Sequence, residues 1–187
     1  MKKPIAILGL LLMSVGSAAA ADIPYAGLQH RQIKALSAQQ VDDLRAGRGM
    51  GMALAAEIND YPGPRHVLDL SDNLGLTGAQ KSRVSSLFDE MAAQAKTVGE
   101  RIITAEAGLD RLFADKRAND EAIQLFTSDI ARLYGELRYV HLRYHLSVRE
   151  LLSEAQVARY AELRGYGKPV GGHDTGASDH HGHGGHR

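Results

Sequence analysis

The chain has no cysteine, no tryptophan and only 3 phenylalanines among its 187 residues. Without thiols there is no disulfide, no thiolate nucleophile and no cysteine-ligated metal. With so few large aromatics the core has to be mostly aliphatic. Net charge is missing as well. The 22 basic side chains balance the 22 acidic ones, which argues against nucleic acid as a partner. The one extended apolar run, Ile5 to Val15, falls short of the roughly 20 residues that cross a bilayer. No nucleophile–base set, catalytic carboxylate pair or phosphate loop is recognisable, so the chain reads as a binding protein and not as an enzyme.

What stands at the N-terminus is a secretory signal. Met1-Lys2-Lys3 is the positive end, Ile5 to Val15 the apolar middle, and Ser17 to Ala21 the small-residue end. Cleavage after Ala20 or Ala21 is expected, with residues 1–20 as the signal peptide and the bacterial periplasm as the destination. Its removal takes away Lys2 and Lys3 and leaves 20 basic against 22 acidic side chains.

A five-residue pattern, Leu-[Ser/Thr]-x-x-Gln, occurs at Leu36-Ser37-Ala38-Gln39-Gln40, Leu76-Thr77-Gly78-Ala79-Gln80 and Leu152-Ser153-Glu154-Ala155-Gln156. Each copy has the chemistry of a helix start. The hydroxyl accepts from a free backbone N–H three residues on, the Gln reaches back to the cap's own N–H, and the Leu can staple the first turn.

Between the copies the sequence is helical. Residues 21–36 read as an extended arm. The spacing then predicts a first helix from Ser37 towards Asn59, weakened by Gly47, Gly49 and Gly51, and a break at Tyr61-Pro62-Gly63-Pro64. A short helix follows, from about Arg65 to Asn73, with Gly75 as its stop. Val84, Leu87, Met91, Ala95, Val98, Ile102, Ala105, Leu109 and Leu112 then form a heptad-like seam. Asp115 to Asn119 is a polar turn, and Ile123, Phe126, Ile130, Leu133, Leu137, Val140, Tyr144, Val148 and Leu151 repeat the seam. Gly99 and Gly108 are places for a kink. Two matched seams joined by a short turn predict an all-α fold: a long antiparallel helical hairpin with short flanking helices. The helical domain spans 37–166. Residues 167–187 are rich in Gly and His and are expected to be disordered.

The repeated motif, the signal and the hairpin together resemble the periplasmic Spy/CpxP family, which also includes ZraP-like and CnrX-like metal-responsive proteins. The resemblance covers about Ser37 to Tyr166. The first and third copies carry Ser where the family motif has Thr, and Gly47 to Met52 has no counterpart in it. The resemblance implies a hairpin that dimerises into a cradle. It also implies one of two roles: an ATP-independent chaperone for unfolded envelope proteins, or a heavy-metal sensor or buffer working with a membrane sensor.

Candidate residues divide between those roles. His141 and His145, one helical turn apart, can bind Zn²⁺, Ni²⁺ or Cu²⁺ if further ligands arrive, or can be partly exposed neighbours of the core. CnrX-like sensors also draw ligands from the helix before the last motif. His173, His180, His181, His183 and His186, among glycines, can wrap a metal weakly or be a solvated tail. ZraP-like proteins also carry Gly/His-rich ends. Met50 and Met52 suit Cu(I) or simple packing. Arg132, Arg138, Arg143 and Arg149, interleaved with Tyr134, Tyr139 and Tyr144, can hold a client or form a solvated face. No cofactor is required on either reading. Because two helices enclose apolar residues on one side only, a homodimer is expected, with Leu125, Leu142 and Leu146 widening the stripe.

Overall fold

The computed structural model describes residues 25–166. The expected signal peptide and the five tail histidines lie outside that range. Six helices run in the order α1 (Ala38–Ala46), α2 (Leu54–Glu57), α3 (Pro64–Asp69), α4 (Gly78–Ala114), α5 (Asp120–Leu151) and α6 (Glu154–Leu163), and the described residues contain no strand. The fold is the all-α hairpin with short flanking helices.

All three motif copies cap helices. Ser37, Thr77 and Ser153 each accept from the backbone N–H of the Gln three residues on, and each Gln bonds back to the cap's own N–H. Leu36 and Leu152 are buried beside their caps, while Leu76 is half-buried. The second and third copies also meet. Gln80 Nε2 donates to Gln156 Oε1 at 3.0 Å and to the Leu151 carbonyl at 2.8 Å. Gln156 Nε2 returns a bond to Gln80 Oε1 at 3.2 Å. The start of the hairpin is thereby tied to its end by the same side chains that start the helices.

The hairpin arms hold 37 and 32 residues, roughly 55 and 48 Å of helix at about 1.5 Å per residue. Asn119 caps the second arm through Ala122 N–H. The two seams face each other as the periodicity requires, and Val84, Ile102, Leu133, Leu137 and Val148 are almost fully enclosed. α1 and α3 both pack on α4. Among the described residues no helix is long and apolar enough to cross a membrane.

Two features depart from the sequence reading. The first helix does not continue to Asn59: it stops at Gly47, whose φ of 65° ends it in the left-handed conformation. A looped segment leads from there to the single turn of α2. Residues 25–36 are not an extended arm but a series of turns with a 3₁₀ turn at Leu28–His30, and Ile33 and Leu36 are buried in the core. α4 runs continuously through Gly99 and Gly108. A β-carbon on Gly99 would stand 2.2 Å from the Leu44 carbonyl oxygen, and one on Gly108 2.5 Å from the Phe126 ring. These glycines let other elements approach the helix.

Candidate ligand cavity around His141 and His145

His141 and His145 project from α5 on the side away from the tip of the hairpin. Both are buried, at 3% and 7% exposure, which corrects the expectation of partly exposed histidines. The reason is long-range. The looped segment after α1, the turn of α2 and the Tyr61–Pro64 break fold over this part of α5. They leave a cavity of about 520 Å³ against α4, with both histidines in its wall.

The geometry fixes which nitrogen of one imidazole donates and leaves a buried nitrogen of the other without a partner among the described residues. His145 Nδ1 lies 2.7 Å from the Tyr61 carbonyl oxygen. A carbonyl only accepts, so Nδ1 carries the proton and Nε2 keeps its lone pair in the neutral ring. A backbone carbonyl on one nitrogen is the usual way to orient the other towards a metal. His141 Nε2 is buried with no hydrogen-bond partner among the described residues, a situation that costs about 1–3 kcal/mol. Burial pushes the His141 imidazole below its ordinary value, and His145 beside it adds to the push. The neutral form, which can ligate a metal, is the favoured one.

A carboxylate completes the wall. Glu57 is buried. Its Oε2 accepts from the Gly63 N–H at 3.2 Å and lies 3.9 Å from His145 Nδ1. Its Oε1 accepts from the Tyr160 hydroxyl and, at 3.2 Å, from the Tyr166 hydroxyl. Arg164 Nε stands 3.4 Å from Oε1 but lacks hydrogen-bond geometry. Burial, then the bond to Glu57, pushes the Tyr160 phenol above its ordinary value. Gly63 is confined to glycine by the site. A β-carbon there would lie 2.9 Å from His145 Nε2 and 3.4 Å from Glu57 Oε2, filling the space that both atoms border.

Both histidines and Glu57 line this one cavity, and imidazole with carboxylate is a donor set suited to a transition metal. In this conformation no three His, Cys, Asp or Glu side chains among the described residues converge tightly enough to enclose an ion. Met50 lines the same cavity, whereas Met52 is half-buried against the core.

The Arg/Tyr set does not form one open face. Tyr144 is a core residue at 4% exposure, because it occupies a seam position. Arg143 is drawn inward to donate to Gln94 and to the Tyr144 hydroxyl. Arg132 pairs with Asp129 at 2.7 Å and Glu136 at 3.1 Å, and Arg149 pairs with Glu154 at 2.6 Å. Tyr134 is half-buried. Arg138 and Tyr139 remain exposed.

Glu57, Tyr61, Gly63, Met91 and Tyr160 are site residues that sequence reasoning missed. A signal for Glu57 was present: it is the one charge in the run Ala53 to Ile58. Comparison with protein-family models, curated proteins and solved structures returns no match for this chain.

Proposed function

We propose that the chain is a periplasmic metal-binding protein, a sensor or buffer for transition-metal ions, which acts by binding and not by turnover. One observation carries the reading: the unpartnered, buried Nε2 of His141 beside a His145 whose tautomer leaves its own Nε2 free. Glu57 Oε2 is the third donor. A small inward shift of these side chains makes an ion the partner that His141 lacks, and the ion then ties α5 to the α2 segment. Three cap motifs and the long hairpin support kinship with the Spy/CpxP family, and the N-terminal sequence supports the periplasm. The test is calorimetric titration of Zn²⁺, Ni²⁺ and Cu²⁺ into the full chain and into the same chain carrying His141→Ala and His145→Ala. A tight one-to-one isotherm in the parent, gone in the variant, is expected. A variant that binds as the parent does would leave only the tail histidines as ligands and would end the proposal.

A chaperone role is the second reading, favoured by large exposed apolar side chains along the second arm: Leu125 at 70%, Tyr139 at 61% and Leu146 at 54%. It requires suppression of client aggregation at near-stoichiometric amounts, lost with Leu125→Ser and Leu146→Ser. These residues are equally suited to a second copy of the chain, and we propose a homodimer. Sedimentation at micromolar concentration decides: a monomer removes it.

A further inference from the structure

We infer that the cavity selects Cu(I) over divalent ions, with the thioethers of Met50 and Met91 as its soft donors; this rests on the metal-binding reading above. Met50 and Met91 line the same cavity as His141 and His145. They come from different directions, Met50 from the loop after α1 and Met91 from α4, while both imidazoles come from α5.

The loop holds Met50 in an unusual way. Its φ is 45°, a left-handed value that non-glycine residues seldom adopt, and Gly51 beside it has φ 75°. Such a conformation persists where the surroundings impose it. The preceding residue, Gly49, places its backbone on the imidazole: a β-carbon there would lie 3.7 Å from His141 Nδ1. The strained turn thus follows directly on the glycine that abuts the His141 ring and holds Met50, 37% exposed, in the loop wall of the cavity. Met91 is 7% exposed on the facing helix.

Ligand chemistry then decides the ion. Thioethers are soft, neutral donors that suit Cu(I), and imidazole is compatible with it. Charge points the same way. The thioethers bring no negative charge, and one oxygen of Glu57 is already taken by Tyr160 and Tyr166, so a single carboxylate oxygen is the site's only anionic donor among the described residues and balances one positive charge, not two. Burying a doubly charged ion among such donors costs far more than burying a singly charged one.

The experiment uses the full chain with His173, His180, His181, His183 and His186 changed to Ala, so that the tail does not compete. The unaltered chain is measured beside it. Cu(I) is titrated anaerobically against a coloured Cu(I) chelator, and Zn²⁺ against a coloured Zn²⁺ chelator. One Cu(I) per chain is expected, held at least about 100-fold more tightly than Zn²⁺. Met50→Leu should weaken Cu(I) binding about tenfold, with a further loss on adding Met91→Leu, and Zn²⁺ binding should be unchanged. Met→Leu keeps side-chain volume, and Met50→Leu alone alters a partly exposed residue, so an unchanged melt certifies the fold. X-ray absorption at the copper edge should show sulfur neighbours in the parent that are lost in the double variant. Equal affinity for the two ions, or Leu variants that bind Cu(I) as the parent does, overturns the inference and leaves the metal reading standing. A parent that holds neither ion overturns both.

Discussion

The two ends of the hairpin carry the same seam and end in different states. At the capped end every seam position from Leu133 to Val148 is buried. Towards the tip, Leu109, Leu112, Ile123, Phe126 and Ile130 keep the spacing but are only half-buried, and Phe113 and Leu125 stand 51% and 70% exposed. The periodicity is equal; what differs is the third layer. α1 and α3 pack on α4, and α2 touches α5, while towards the tip the 25–36 turns reach α4 as far as Asp110, which Lys34 meets at 3.2 Å. Two helices bury one side of each other, and a further layer is needed to bury polar groups as well. Glu57, His141 and His145 accordingly lie at the covered end, where their desolvation is offset by hydrogen bonds or, for His141 Nε2, is left open.

The sharpest way to break this comparison is to cut side chains from both ends. Leu137→Ala should lose about 2–5 kcal/mol in urea denaturation. Leu125→Ala should stay within about 0.5 kcal/mol. Equal losses would mean that the tip is covered in solution.

A second test uses pH on the metal-free protein. The His141 value is lowered in the fold by burial and by His145, so below the ordinary imidazole value of about 6.5 the unfolded chain takes up the proton first. Stability should be flat above that pH. It should fall as pH drops, by at most about 1.4 kcal/mol per unit for one proton, until the folded value is reached. His141→Gln should flatten the slope. An unchanged slope would place the titrating group elsewhere.

The three caps offer a finer contrast, because the first stands alone and the other two interlock. Ser37→Ala should cost about 1 kcal/mol. A double-mutant cycle on Gln80→Ala and Gln156→Ala should reveal a coupling of about 0.5–1.5 kcal/mol, whereas Gln40→Ala paired with either should be additive. The smallest effect belongs to the exposed arm: Arg132→Ala should cost under about 1 kcal/mol and less in salt.

The caps and the seams were readable in the sequence because their physics is local. Ser37, Thr77 and Ser153 act within three residues, and Leu133 to Val148 declare a face by spacing alone. The end of the first helix was not readable. Glycine at 47 costs a helix only about 1 kcal/mol, but here it takes a φ of 65° at a point where a β-carbon would stand 3.0 Å from the Ala92 carbonyl oxygen. The burial of His141 and His145 was hidden for the same reason. They border the seam on their own helix, and their enclosure comes from residues some 80 positions earlier, such as Tyr61, 84 residues away. Tyr144 misled in the opposite direction: its seam position outweighed its place in the Arg/Tyr series.

The reciprocal bond between Gln80 and Gln156 has a kinetic consequence. The hairpin's turn closes between neighbours in sequence, but this bond closes a loop of 76 residues. Loop-closure entropy makes contacts near the turn form early and those at the open ends form late. An interaction absent from the folding transition state leaves the folding rate alone and sets the unfolding rate. The paired motifs therefore act as a latch: removing either Gln should steepen escape from the native state while the chain still zips up from Asp115–Asn119 at its old speed.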